Sequence, residues 1–541
     1  MAGGRHSART TRDGRSTRVV VLVGVAVVAL TAAGVGVVRA LAGGCDTVEQ
    51  YSLAVAPSIE PAVSSVLSGR ADTRCYEFTV DTAEPGDVAG LLGKGIDAPD
   101  LWIPDARWWA SRAAPTAAGP VQMIAGAVAS TPAVLVGAPG KVPEVPTWRA
   151  ALAIPDLVLG NPLRTGVAAA PIRAALAETQ DDPVAVGTVR TAMVPLAQTE
   201  SIRTEEALSG ADLLTAVGAD GGVGISTEQQ VLAISAANES ALETRVPANG
   251  SILLEYPVVV TSPAPDRHHR ATDAARALVD VLGTQDALEV LHDEGFRGPD
   301  GEPLPEGRGI GGVPLLSLRD EAMAEEALGA WSLLALPIRT LVAVDVSGSM
   351  RFPAGDGTRM DLTVRAALAG NAMFPDSVSA GLWAFSQNLG GDDQDYVELV
   401  PIRRYDTDVD GRTQREVMAD QAEKVPGLVG GGTGLYDTTL AAFRAVQRSY
   451  DPRAVNSVIV LTDGANEDPD SISEAQLLEI LAREQDPARP VIVVTIGITE
   501  DADARTLAEI SRVTGGSSYV ARDPADIANV FVNALADRGE R

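Results

Sequence analysis

Lysine is almost missing from this chain: Lys94, Lys141 and Lys424 are the only three in 541 residues. Acidic residues number 72 against 43 basic ones, a net charge of −29. That balance excludes nucleic acid as a general partner, because phosphate binding needs clustered lysine and arginine. Histidine is scarce too, with only His6, His268, His269 and His292. His6 sits in a basic N-terminal segment, and His268 and His269 fall in the charged stretch Asp266 to Arg270. His292 ends a helical pattern, where an imidazolium suits the helix dipole. No strand-elbow serine, cysteine–histidine pair or phosphate-binding glycine loop occurs, so the chain reads as a binding protein and not an enzyme. At 45% hydrophobic composition it is long enough for two or three domains, each with its own core.

Long apolar runs are limited to one. Residues 1–18 form a basic tail carrying Arg5, Arg9, Arg12, Arg15 and Arg18, and residues 19–38 are uncharged. Such a run crosses a hydrocarbon core of about 30 Å as a transmembrane helix or signal anchor, with the arginines held in the cytoplasm. The bulk of the chain then lies outside the cell membrane. A cleaved signal peptide is the competing reading, although its apolar core is normally about 7–15 residues. Only two cysteines occur: Cys45 ahead of the apolar segment Tyr51 to Val55, and Cys75 opening the alternating segment Tyr76 to Val80. If these segments are neighbouring parallel strands, both cysteines lie at one edge, within disulfide reach. Lipidation is the rival, since Leu41 to Cys45 resembles a bacterial lipobox with Ala42 at the position usually held by leucine.

The most specific signal lies further on. The apolar run Leu341 to Val344 ends in Asp345-Val346-Ser347-Gly348-Ser349-Met350, a buried strand delivering one carboxylate and two hydroxyls into a turn. Hard oxygen donors at this spacing suit Mg²⁺ or another hard cation. A second apolar strand, Val458 to Thr462, also ends in an acid, Asp463, and a loop of four glycines between the two strands presents Thr433. Asp345, Ser347, Ser349, Thr433 and Asp463, in that order, resemble the metal-ion-dependent adhesion site of von Willebrand factor A (VWA) domains. The resemblance implies that Ser347 and Ser349 ligate the metal directly, and Thr433, Asp345 and Asp463 directly or through water. It implies Mg²⁺, with Mn²⁺ or Ca²⁺ as alternatives, and an open position for a carboxylate from a protein or other acidic partner.

Residues 46–299 alternate short apolar strands with amphipathic helices, as in an α/β domain. Ala54 to Ser58, Asp100 to Asp105, Ser130 to Val136 and Glu255 to Val260 resemble the strands and crossing segments of type 2 periplasmic solute-binding proteins, two α/β lobes around a cleft. The second lobe covers about residues 131–254. Ser58, Trp102, Asp105 and Arg164 are the cleft candidates on this resemblance; Trp102, Trp108 and Trp109 offer rings for stacking, and packing is the blander role for each. Residues 300–337 read as a linker with a short helix from Ser317 to Leu328, stopped by Gly329. A doubly wound VWA domain then spans 338–537, with strands near Thr340–Asp345, Val378–Phe385, Val458–Thr462, Val491–Ile496 and Ser518–Val520. Asp392, Asp393 and Asp395 have two readings, a second cation site or a solvated hairpin tip, and the tip is preferred. Two functions fit this architecture: metal-dependent recognition at the cell surface with a solute as second ligand, or a tethered solute receptor docking on a transporter.

Overall fold

The computed structural model describes residues 47–69, 73, 75–202, 210–238, 242–391, 393–499 and 502–521. The basic tail, the 19–38 segment and Cys45 lie outside the described residues. Among the described residues no helix is long and apolar enough to cross a membrane. Contacts divide the chain into two units: residues up to Ser130 together with Glu255–Asp300, and Thr131–Leu254 together with the chain from Gly301 onward.

The first unit opens with β1 (Glu49–Val55), α1 (Glu60–Ser68), β2 (Tyr76–Thr82), α2 (Pro85–Lys94), β3 (Leu101–Ile103), α3 (Trp108–Ala113) and the long β4 (Gln122–Gly137). Leu53 and Val55 are fully buried, and β1 pairs in parallel with β2 on one side and β3 on the other. In the second unit follow α4 (Trp148–Leu152), α5 (Gly166–Thr179), α6 (Pro183–Ile202), α7 (Gly210–Asp220), β5 (Val223–Thr227), α8 (Glu228–Asn238) and β6 (Glu243–Arg245). The end of β4 pairs antiparallel with β5 and β6. The chain returns to the first unit through β7 (Leu253–Val260), antiparallel to β3, then α9 (Pro265–Leu282) and α10 (Gln285–Asp293). The sequence suggests one helical run from Asp273 to His292. It is two helices, because Gly283 closes α9 and the Thr284 hydroxyl caps α10.

Asp100 ties the first unit together. Its carboxylate accepts from the Ser52 backbone N–H at 3.1 Å and from Arg267 Nε at 2.6 Å, while its carbonyl accepts from Thr261 N–H at 2.9 Å. Burial works against its charge, yet the Arg267 guanidinium and the Ser52 N–H hold the carboxyl below its usual range. Asp100→Ala is expected to cost about 1–3 kcal/mol, since it leaves half-buried donors without their acceptor. Because the folded-state pKa is depressed, this stabilisation is present above the ordinary carboxylate range and lost as pH falls through the folded value. Urea melts at neutral pH and at about pH 3 check it: the gap between parent and variant should narrow in acid.

After the second-unit helices comes α11 (Glu321–Leu334), which runs straight through Gly329, the expected stop. The sequence reading fails here because Leu328, Trp331 and Leu334 are buried and continue the apolar face, outweighing the modest penalty of one glycine. Asp320 caps its start through Ala322 N–H, and buried Arg173 of α5 pairs with Glu321.

The rest of the second unit is β8 (Ile338–Asp345), short β9 (Pro353–Ala354) and β10 (Gly357–Thr358), α12 (Arg359–Met373), β11 (Ser379–Phe385), β12 (Tyr396–Arg404), short β13 (Asp408–Val409) and β14 (Arg412–Thr413), α13 (Gln414–Ala422), α14 (Leu435–Arg448), β15 (Val455–Thr462), α15 (Glu474–Glu484), β16 (Val491–Ile498), α16 (Ala504–Val513) and β17 (Ser518–Ala521). The sheet order is β12-β11-β8-β15-β16-β17, parallel except for β12. Five of these strands match the apolar runs of the sequence. The sixth, β12, was not expected: it is an edge strand with Glu398, Arg403 and Arg404 outward, so it lacks a continuous apolar run. The register Phe385↔Asp345 and Leu461↔Val344 brings the carboxyl ends of β11, β8 and β15 level, the edge where open α/β sheets hold ligands.

Candidate metal centre

Asp345 is the last residue of β8 and has no exposed surface. Its Oδ1 accepts from Ser347 N–H at 2.7 Å and its Oδ2 from the Thr462 hydroxyl at 2.6 Å. Burial pushes its carboxyl up to about 7, although both hydrogen bonds pull the other way. The turn Gly348–Arg351 then folds back so that Ser347 Oγ and Ser349 Oγ stand 3.1 Å apart, and Ser349 Oγ–H donates to Asp463 Oδ1 at 2.8 Å.

The glycine loop that the sequence suggests to be flexible is bonded in place. Gly430 N–H donates to Val346 O at 2.7 Å, Gly348 N–H to Gly431 O at 2.9 Å, and Gln387 N–H to Gly432 O at 2.8 Å. Thr433 is held between them, buried, with its carbonyl accepting from Glu467 N–H at 2.9 Å. Its Oγ1 lies 3.9 Å from where a Cβ on Gly464 would stand. The carboxylates and hydroxyls of Asp345, Ser347, Ser349, Thr433 and Asp463 thus come from three loops bonded to one another at one sheet edge. All are hard oxygen donors, the set that suits Mg²⁺.

Three features escaped the sequence reading. Thr462, the last residue of β15, bonds Asp345. Arg359, the first residue of α12, donates from Nη1 to Asp463 Oδ2 at 2.8 Å in a buried ion pair, and its guanidinium lies 5.4 Å from the centre of the Phe352 ring. The site is therefore less negative than two carboxylates alone would make it. The third is an acidic triad. Asp395, read from sequence as part of a solvated hairpin tip, is 6% exposed, and it approaches Asp437 and Asp468 with one carboxylate oxygen from each within 4.8 Å of the others. These three can hold a metal ion. Burial, with the neighbouring Asp468 and Asp437 carboxylates, raises the Asp395 carboxyl against the Asn388 N–H bond. Asp393 is exposed, as a hairpin tip requires, and Asp392 lies outside the described residues. Asn466 caps α14, its Oδ1 accepting from Leu435 N–H at 2.8 Å.

The solute-site candidates are placed differently. Ser58 Oγ lies 2.8 Å from Tyr256 Oη, and Asp105 is buried, accepting from Trp109 Nε1 at 2.9 Å. Trp102 is fully buried, with no ring face exposed. These three belong to the first unit; Arg164 belongs to the second and is exposed. Cys75 opens β2 beside β1, as expected, while Cys45 falls outside the described residues.

Residues 51–297 match the family of bacterial extracellular solute-binding proteins. The uncharacterized protein Rv1836c of Mycobacterium tuberculosis is 25% identical over 320 residues, covering 57% of this chain and 46% of that protein; the chain thus spans about half the length of this relative. Among solved structures, a von Willebrand factor type A protein from Catenulispora acidiphila is 21% identical with a TM-score of 0.29, covering 37% of this chain and 42% of its own. The sulfate-binding protein SubI from Mycobacterium tuberculosis H37Rv is 19% identical with a TM-score of 0.36, covering 47% and 88%. Residues 51–297 thus match a bacterial extracellular solute-binding domain, and the chain is similar in structure to a VWA protein.

Proposed function

We propose that the C-terminal domain, residues 338–537, holds a divalent cation, Mg²⁺ first, through Asp345, Ser347, Ser349, Thr433 and Asp463, and uses it to capture a carboxylate of a protein partner. The observation that supports this most is the unbroken run of oxygens Ser347–Ser349–Asp463 beside buried Asp345. A buried carboxylate held against desolvation is costly without a cation to share its charge. Asp395, Asp437 and Asp468 form a second cation site nearby. The solute-binding domain, residues 46–299 with its second lobe at 131–254, takes a separate small ligand. The 19–38 segment anchors the chain in the membrane, and Cys45 pairs with Cys75.

The test is capture of cell-envelope proteins on the immobilised chain, with Mg²⁺ or with EDTA, using parent and Asp345→Ala. Capture that requires Mg²⁺ and disappears in the variant is the expected result. Capture indifferent to both would end the metal-dependent reading. The family match over residues 51–297 favours one second reading, a tethered solute receptor whose VWA-like domain docks on a transporter; a captured partner with many membrane spans would select it.

A further inference from the structure

Asp463 is committed on both sides. Its Oδ1 receives the Ser349 hydroxyl and its Oδ2 the Arg359 guanidinium, the latter pair having 0% and 9% of their side chains exposed. Charge-assisted bonds of this kind are shorter and stronger than neutral ones, and neither partner escapes to water. Arg359 is fixed in place by the start of its helix: Thr358 and Asp361 form a reciprocal capping box around it. The formal charge of the chain's own groups at the centre is thus one negative, from Asp345 and Asp463 against Arg359, and a divalent cation would make it one positive.

We infer that Arg359 sets the charge of this centre, making Asp463 an outer group that orients Ser349 and holding down the affinity of the chain's own groups for a cation. This rests on the metal reading above and adds to it the control of affinity. Removing the arginine should free the Asp463 charge for the cation. Removing both partners should restore the parental charge with no buried ion left unpaired.

The experiment is calorimetric titration of Mn²⁺ alone into the full chain as parent, Arg359→Gln, Arg359→Gln/Asp463→Asn and Asp345→Ala, with circular dichroism to confirm folding. Arg359→Gln should bind Mn²⁺ about tenfold or more tighter than parent, as expected when a full positive charge leaves a buried site. The double variant, which folds without an unpaired buried carboxylate even if the single one does not, should stay within about threefold of parent. A folded Arg359→Gln with parental or weaker affinity overturns the inference, as does a loss beyond about thirtyfold in the double variant, which would make Asp463 a direct ligand. Parental binding that Asp345→Ala abolishes, with no gain in Arg359→Gln, leaves the metal reading standing and removes only this one. No binding by parent, Arg359→Gln or the double variant removes both.

Discussion

Asp345→Ala should abolish Mg²⁺ binding, weakening it at least about a hundredfold, or about 2.7 kcal/mol, while the β8 sheet stays folded. Asp345 is the one carboxylate of the five-residue set with no cationic partner in the described hydrogen-bond network: its oxygens accept from Ser347 N–H and the Thr462 hydroxyl. Both are neutral donors, so its charge is left for the metal. The substitution also leaves those two donors without their acceptor, at about 1–3 kcal/mol each if no water replaces it. Against that cost, it removes a carboxyl that burial already pushes up to about 7, so the net stability change should be smaller than the sum. Titration of Mg²⁺ beside a thermal melt separates the two effects. Retained affinity in a folded Asp345→Ala would mean that the cation, if one binds, sits elsewhere, and the Asp395 triad would be the next place to look.

The metal loops were legible because each follows a strand written as an apolar run: Leu341 to Val344 points to Asp345, and Val458 to Thr462 points to Asp463. A strand end is a fixed place in an α/β sheet, so the chemistry at its tip can be placed without coordinates. Arg359 was not legible for the opposite reason. Thr358 and Asp361 cap the helix on either side of it, but which way the first helical side chain turns depends on where α12 meets the sheet. Edge strand β12 was missed because its outward residues are polar, and α11 ran past Gly329 because tertiary packing outweighed local propensity. Asp395 was misplaced in a further way. Its neighbours in sequence, Asp392 and Asp393, suggest a solvated tip, and only the glycine opposite it, remote in sequence, makes room for it inside.

That glycine is the subject of the second large effect. Gly434→Ala should destabilise the domain by about 2–4 kcal/mol and weaken Mg²⁺ binding about tenfold, because Gly434 stands between the two acidic sites. A Cβ there would lie 2.5 Å from Asp395 Cγ and Oδ2 and 2.6 Å from its Cβ, closer than any relaxed contact. Asp395 cannot swing aside cheaply: its Oδ1 accepts from Asn388 N–H at 2.8 Å and its carbonyl from Ser386 N–H at 2.9 Å. The loop cannot yield freely either, since Thr433 precedes Gly434 and α14 begins immediately after it, capped by Asn466. Any relief therefore moves Thr433, Asp395 or the helix, and each belongs to or borders a proposed cation site. Adding Asp395→Gly to Gly434→Ala removes all three of these atoms, so the double variant should regain much of the lost stability, an interaction energy that two independent sites would not show. It should also recover the Mg²⁺ affinity of the Asp345 centre. Parental stability and binding in the single variant would refute the close approach; additive losses in the double would place the damage in the backbone of the Thr433 loop itself.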